Sequence, residues 1–393
     1  MAPTRTPHFM PTDDVVAVAF ELSNGSWKLA LQDGKHQNPA IQTVSASEPA
    51  TRLQQAVEAI ARIRSKWAID PAVPTVVLYE AGQKDGFWIH RALSTLSGFE
   101  VYICDPSSVP VARHARRAKT DRLDAIRLVE CLLAWLRGER GRMRMIHVPT
   151  ADEEAQRHLV RDRGQMQKEV LQHQDRIRKL LRTVGCWQSI EDDIGKRLAQ
   201  GELRCHDGSA LPLQLQRRLA RECERLALAK QQFATLEKNL LEQLPPVLQE
   251  RVAHLRKLKA VGPVGAVRMV LELFWREFDN RRQVGACVGL VPQPYDSGES
   301  RVDQGISKQG NRKVRSLSIE LAWLWLRYQP NSAITKWFKR RMHGNEQNKR
   351  GKRIAIVAVA RRLVSAFWRY LSLGEVPAGA ILKRVKGTAM SAA

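Results

Sequence analysis

Asp121 and Asp124 stand three residues apart in the run Lys119-Thr120-Asp121-Arg122-Leu123-Asp124-Ala125, at the head of a stretch, 121–136, whose apolar positions recur at three- and four-residue spacing. On a helix, residues three apart share a face, with Cβ atoms roughly 5–6 Å apart. Two carboxylates held that way repel each other unless a cation sits between them. The helix dipole eases part of the repulsion near an N-terminus, so a solvated helix start is the plain alternative. Glu21 and Glu80 each close a strand-like pattern elsewhere in the first third of the chain. Together the four side chains are the oxygen donors that a hard divalent cation requires. Mg²⁺ takes near-octahedral oxygen ligands and keeps several waters, which leaves room for phosphate oxygens. Two such ions can clamp the attacking and leaving oxygens of an in-line phosphoryl displacement.

The elements that must position these residues show in the hydrophobic pattern. Residues 15–22 (VVAVAFEL) form a short β-branched run, and 27–31 follow after the turn Ser23-Asn24-Gly25-Ser26, which predicts a hairpin. A helix is expected over 52–67, a buried strand over 75–79 ending at Glu80, a helix from about Trp88 and a strand over 99–104. A hairpin followed by helix–strand alternation predicts an α/β layered domain with a mixed sheet, over residues 1–148. In open sheets of this kind chemistry collects at the carboxyl ends of strands, where Glu21 and Glu80 stand.

Composition changes after that. Residues 149–255 are rich in Arg, Gln, Glu and Leu, with helical periodicity over 153–182 and 213–243. Long charged helices with a narrow apolar seam suit an antiparallel hairpin, a coiled-coil dimer or a plain helical spacer. Residues 256–393 are expected to form a third, mostly helical unit. It opens with Leu258-Lys259-Ala260-Val261-Gly262-Pro263-Val264-Gly265-Ala266, which resembles half of a helix-hairpin-helix turn with Ala260 where a glycine is usual. Such a turn either offers backbone N–H groups, at Gly262, to a DNA phosphate or simply packs helices.

The 393-residue chain carries a net charge of +24. That excess suits a polyanion whose phosphates release counterions on binding. The most apolar late stretches, near 321–326 and 354–368, are interrupted or flanked by Glu320, Arg327, Arg361 and Arg362, too short and too charged to span a bilayer. With no apolar leader at the N-terminus, a cytoplasmic protein without a membrane partner is expected. Six cysteines are scattered without CxxC pairing and are read as reduced thiols. Among Trp323, Trp325, Trp337 and Trp368, core packing and nucleic-acid stacking both remain open.

Two further loops complete the pattern. The first is Gly289-Leu290-Val291-Pro292-Gln293-Pro294-Tyr295-Asp296-Ser297-Gly298, and the second is Gly305-Ile306-Ser307-Lys308-Gln309-Gly310-Asn311-Arg312-Lys313. Small residues let backbone approach a phosphodiester, and Lys308, Arg312, Lys313 and Arg315 can neutralise it. With AKTDRLDA and YEAG after a strand, these loops resemble the DEDD/serine insertion-sequence transposases (insertion sequence family 110), over nearly the whole chain. The resemblance implies an N-terminal resolvase-like RNase H fold, a central helical or coiled-coil segment and a C-terminal transposase domain. It implies Mg²⁺ held by Glu21, Glu80, Asp121 and Asp124, with Ser297 as the nucleophile on a DNA phosphodiester. It also implies a structured guide RNA from the element's flank and a homo-oligomer in which one subunit's acidic domain completes another's serine site. Lys119 and Arg122, beside the aspartates, join the expected nucleic-acid contacts. One departure is visible: the family's first acidic position is usually aspartate, and Glu21 is one methylene longer. Asp13 and Asp14 lie at the wrong end of that strand to replace it. Two other readings stay open, a resolvase-like metal nuclease in which water attacks, and a nucleic-acid-binding remnant with an altered metal site.

Overall fold

The computed structural model describes residues 15–82, 86–110, 120–297, 300–345 and 347–383. The chain divides into two compact units, Met1–Pro149 and Thr150–Ala393.

The first unit is a five-stranded mixed sheet between helices. Its strands are β1 (Val16–Leu22), β2 (Trp27–Gln32), β3 (Ala40–Val44), β4 (Thr75–Glu80) and β5 (Phe99–Cys104). Its helices are α1 (Pro49–Lys66), α2 (Trp88–Leu93) and α3 (Asp121–Leu136). The strand order is β3-β2-β1-β4-β5, antiparallel from β3 to β1 and parallel from β1 through β4 to β5. Burial on both faces explains why β1 reads as an unbroken apolar run. Val16, Val18, Phe20, Val77 and Tyr79 pack with Ala56 and Ile60 of α1 and Ile89 of α2. The alternate residues Val15, Ala17, Ala19, Val76 and Leu78 pack with Ala125, Leu128, Val129 and Leu132 of α3. This mixed α/β arrangement is consistent with an RNase H-like domain.

The second unit is mostly helical. The long helices α4 (Ala151–Arg182) and α6 (Leu213–Asn239) run antiparallel, since Arg163 pairs with Glu237 while His173 pairs with Glu222 at 2.8 Å. Thr150 and Glu153 close a reciprocal cap at the head of α4. Between the two helices lies the short α5 (Ile194–Ala199). Ile177, Leu181, Ile194, Leu203, Leu219 and Cys223 form a small core of their own at this end of the hairpin.

The remaining helices are α7 (Pro246–Arg256), α8 (Pro263–Glu272), α9 (Arg281–Val288), α10 (Arg312–Tyr328), α11 (Ala333–Met342) and α12 (Lys349–Leu373). A two-stranded hairpin, β6 (Pro292–Ser297) and β7 (Ser300–Ile306), stands between α9 and α10. The main core gathers Val267 and Val270 of α8, Leu321 and Trp325 of α10, and Val359, Leu363 and Phe367 of α12. Trp325 is fully buried, edge-on to Phe367 at 5.9 Å, and its indole N–H donates to Ser332 Oγ at 2.9 Å. Trp337 and Trp368 pack only partly against this core, and Trp323 stands exposed beside Lys352. No helix among the described residues is long and apolar enough to cross a membrane.

Candidate active site and nucleic-acid interface

Glu21 and Glu80 are brought together by strand register. β1 and β4 run parallel, with Phe20 opposite Tyr79, and each glutamate is the next residue along. Neighbouring strands lie about 4.8 Å apart, so the two carboxylates leave the sheet side by side. They continue the alternation of Ala17, Ala19, Val76 and Leu78, and so face the layer that α3 covers. Lys28, directly opposite Glu21 on β2, shares that face and donates to Thr43 Oγ1 at 2.7 Å. Cys104 stands opposite Glu80 on β5. Burial first, and then the Glu80 carboxylate, push its thiol up to about 12, which keeps it protonated at neutral pH.

Asp121 and Asp124 occupy the first turn of α3. The cap of that helix is Thr120, whose hydroxyl accepts from the Leu123 N–H at 3.3 Å, so neither aspartate is consumed in capping. Asp121 is exposed, whereas Asp124 is half-buried and pairs with Arg127 at 3.2 Å. The acidic residues therefore form two pairs, one at the strand ends and one on the helix that covers that face of the sheet. Among the described residues no group of three or more His, Cys, Asp and Glu side chains is gathered closely enough to hold one metal ion. Arg122 is exposed beside the aspartates, and Lys119 lies outside the described residues.

Ser297 is the last residue of β6 and pairs in register with Ser300 across the hairpin tip. Its backbone is described, whereas its side chain lies outside the described residues.

The two small-residue loops interlock at the base of this hairpin. Gly289 ends α9 in the left-handed region (φ 70°), and a Cβ there would overlap the Gln309 carbonyl. Gly310 (φ 84°) would in the same way overlap the Cys287 carbonyl. The backbones are tied by Ser307 N–H to Val291 O at 2.9 Å and Asn311 N–H to Cys287 O at 3.0 Å. Arg315, read from the sequence as a phosphate contact, donates through Nη1 to the carbonyls of Val288 at 3.2 Å and Lys308 at 3.0 Å. That nitrogen clamps the loops to each other. Lys308, Arg312 and Lys313 stay exposed.

Asn311 carries a role that the sequence did not disclose. Its Oδ1 accepts from the N–H groups of Lys313 and Val314, capping α10, while its Nδ2 donates to Glu272 Oε2 at 3.0 Å. Glu272 is buried and also accepts from Arg161 Nε of α4 at 3.2 Å. The partners lie 111 and 39 residues away, a separation that no local pattern reveals.

Gly262 caps α8 with extended backbone (φ −83°), exposed and followed by Pro263. Ala260, where a glycine is usual, adopts φ 100°, a region L-residues rarely occupy.

A family model described as Transposase matches residues 42–185, and one described as Transposase IS116/IS110/IS902 family matches 252–336. The first match includes Glu80, Asp121 and Asp124 and begins beyond Glu21, and the second includes Ser297 and both loops. A putative transposase (y4rJ) of Sinorhizobium fredii is 39% identical, over 94% of each chain. The transposase for insertion sequence element IS1328 of Yersinia enterocolitica is 23% identical, over 92% of this chain and 98% of its own. The chain belongs to the IS116/IS110/IS902 family of insertion-sequence transposases, enzymes that act on DNA.

Proposed function

We propose that the chain cuts and rejoins DNA through Ser297, with Mg²⁺ held by Glu21, Glu80, Asp121 and Asp124. In this reading a structured RNA from the element's flank guides the reaction. A homo-oligomer (dimer or tetramer) lets one subunit's acidic domain, 1–148, complete the serine site of another's transposase domain, 256–393, with 149–255 as the helical link. The observation that supports this most is the register setting Glu21 beside Glu80, on the face covered by the helix that bears Asp121 and Asp124.

The donor chemistry fits a hard cation. All four groups are carboxylates, the oxygen donors that a hard cation prefers to a thiol such as that of Cys104. A divalent cation bound there would polarise a phosphate oxygen and offset the charge that builds on the phosphoryl group. The protein's own step is transfer to serine. As the Ser297 oxygen forms its bond to phosphorus, its proton passes to solvent. The bond from phosphorus to the departing sugar oxygen breaks, and that oxygen takes up a proton. One phosphate ester replaces another, so the reverse attack rejoins strands without an outside energy source. Lys119, Arg122, Lys308, Arg312 and Lys313 position the backbone, and the N–H groups after Gly262 meet a phosphate. The binding-remnant reading draws on Glu21, which stands where the family usually has aspartate.

A trapping assay separates the readings. Protein, labelled element-junction DNA, RNA transcribed from the flank and Mg²⁺ are combined and run on a denaturing gel beside Ser297→Ala and Asp121→Ala. Serine transfer gives a protein–DNA band that both variants lose. Cleavage without a band, unchanged by Ser297→Ala, would establish the nuclease. Binding with neither cleavage nor band would establish the remnant, provided Glu21→Asp regains activity.

A further inference from the structure

A cleft of about 1390 Å³ in the second unit lies among the start of α9, the base of the β6–β7 hairpin, α11 and α12. Among the described residues nine of its lining side chains are arginine or lysine, against one carboxylate, Glu375, which pairs with Arg369 at 3.4 Å. Arg350, Arg353, Arg361 and Arg369 form a row along α12. At about 1.5 Å per residue that row runs roughly 28 Å. A stacked nucleic-acid strand carries one charge every ~3.4 Å, so the row can follow on the order of eight consecutive phosphates. A small anion needs no such length.

The surface between these cations is apolar. Ile334, Ile354 and Val357 line it, with Ile354 50% exposed. Trp337 also lines the cleft, with the Arg362 guanidinium 4.2 Å from its ring centroid and that of Arg341 at 5.8 Å. A duplex turns phosphates and sugars outward and keeps its bases paired, which leaves nothing to cover an apolar floor. A single strand offers flat base faces that stack on aromatic rings and on guanidinium planes.

We propose that this cleft holds a single-stranded stretch of nucleic acid, with phosphates along the α12 arginines and an unpaired base stacked against Trp337 and Arg362. The inference rests on the family's action on DNA and is independent of Ser297 and of the acidic residues. RNA and DNA strands share this chemistry, and the test distinguishes them.

The full chain is irradiated with ~20-nucleotide oligomers carrying one 5-iodouracil, as RNA or DNA, each single-stranded or annealed to its complement. Digestion and mass spectrometry then locate the crosslink. The expected crosslink is at Trp337 in the single-stranded samples, and the sample with the higher yield identifies the natural strand. In parallel, Arg353→Gln with Arg361→Gln should flatten the slope of log affinity against log salt by about 1.4, two contacts at ~0.7 each for a single strand. An unchanged circular dichroism spectrum would show that this variant folds. Crosslinks confined to other peptides would overturn the proposal. So would a duplex that labels Trp337 equally, or a polyglutamate of matched charge that displaces the strand as well as nucleic acid does. The Ser297→Ala chain should crosslink like the parent, so failure of serine transfer and failure of this site read separately.

Discussion

Ala260 bears a conformational cost that a single atom sets. At φ 100° its Cβ is strained, and glycine at this position would be free of that strain. Ala260→Gly should therefore raise stability by about 1 kcal/mol, the strain relieved less the greater unfolded-state freedom of glycine. A higher denaturant midpoint at unchanged slope is the readout. The odd residue was visible in the sequence as a missing glycine, but its positive φ was not, because a residue type does not report a dihedral. At the strand ends more was legible. Both glutamates stood in the sequence at the carboxyl ends of strand-like runs, whereas the face they share follows from the parallel register of β1 and β4. Glu80→Gln should reduce strand cleavage at least 100-fold, since losing one metal-binding group commonly costs 10- to 100-fold even for groups outside the ligand set. Binding of junction DNA in the same titration should change little. An enzyme that cleaved normally as Glu80→Gln would remove that residue from the site.

The interlocked loops after α9 and before α10 make a positioning device at the level of elements. Gly310→Ala places a Cβ on the Cys287 carbonyl and forces a left-handed backbone on alanine. It should cost more in cleavage rate than in melting temperature, because only the loops must shift. Single-turnover kinetics beside thermal unfolding would show this. The α4–α6 hairpin gives a pH prediction. Burial works against the Glu222 carboxylate, but its bonds to His173 and the charges of His173, Arg176 and Arg225 outweigh burial and hold it below the ordinary carboxylate range. A group whose pKa is depressed on folding adds stability above its unfolded pKa and loses it as pH falls through the folded one. The parent should thus lose stability as acid takes it below about pH 4.5, and Glu222→Gln should show a flatter melting temperature across that window. Equal acid sensitivity of the two proteins would contradict the assignment. Periodicity disclosed both long helices, whereas the link from Glu272 to Arg161 and Asn311 stayed hidden because its partners are distant in sequence.

For the whole molecule, the division at Pro149 gives each unit its own apolar core. Residues 15–149 expressed alone should unfold cooperatively, seen as coincident transitions by fluorescence and circular dichroism. The net charge of +24 predicts nucleic-acid affinity that falls steeply with salt. Composition announced that partner. The cleft along α12 was only partly legible: stacking on Trp337 stood open in the sequence, but the meeting of α9, a hairpin and α11 with this helix joins segments too distant in sequence to show. The most direct measurement is mass spectrometry of the trapped protein–DNA product after protease and nuclease digestion. Serine transfer predicts a nucleotide phosphate on Ser297, within the peptide that carries Tyr295 and Asp296. Cleaved DNA with the phosphate on another residue, or on none, would contradict it.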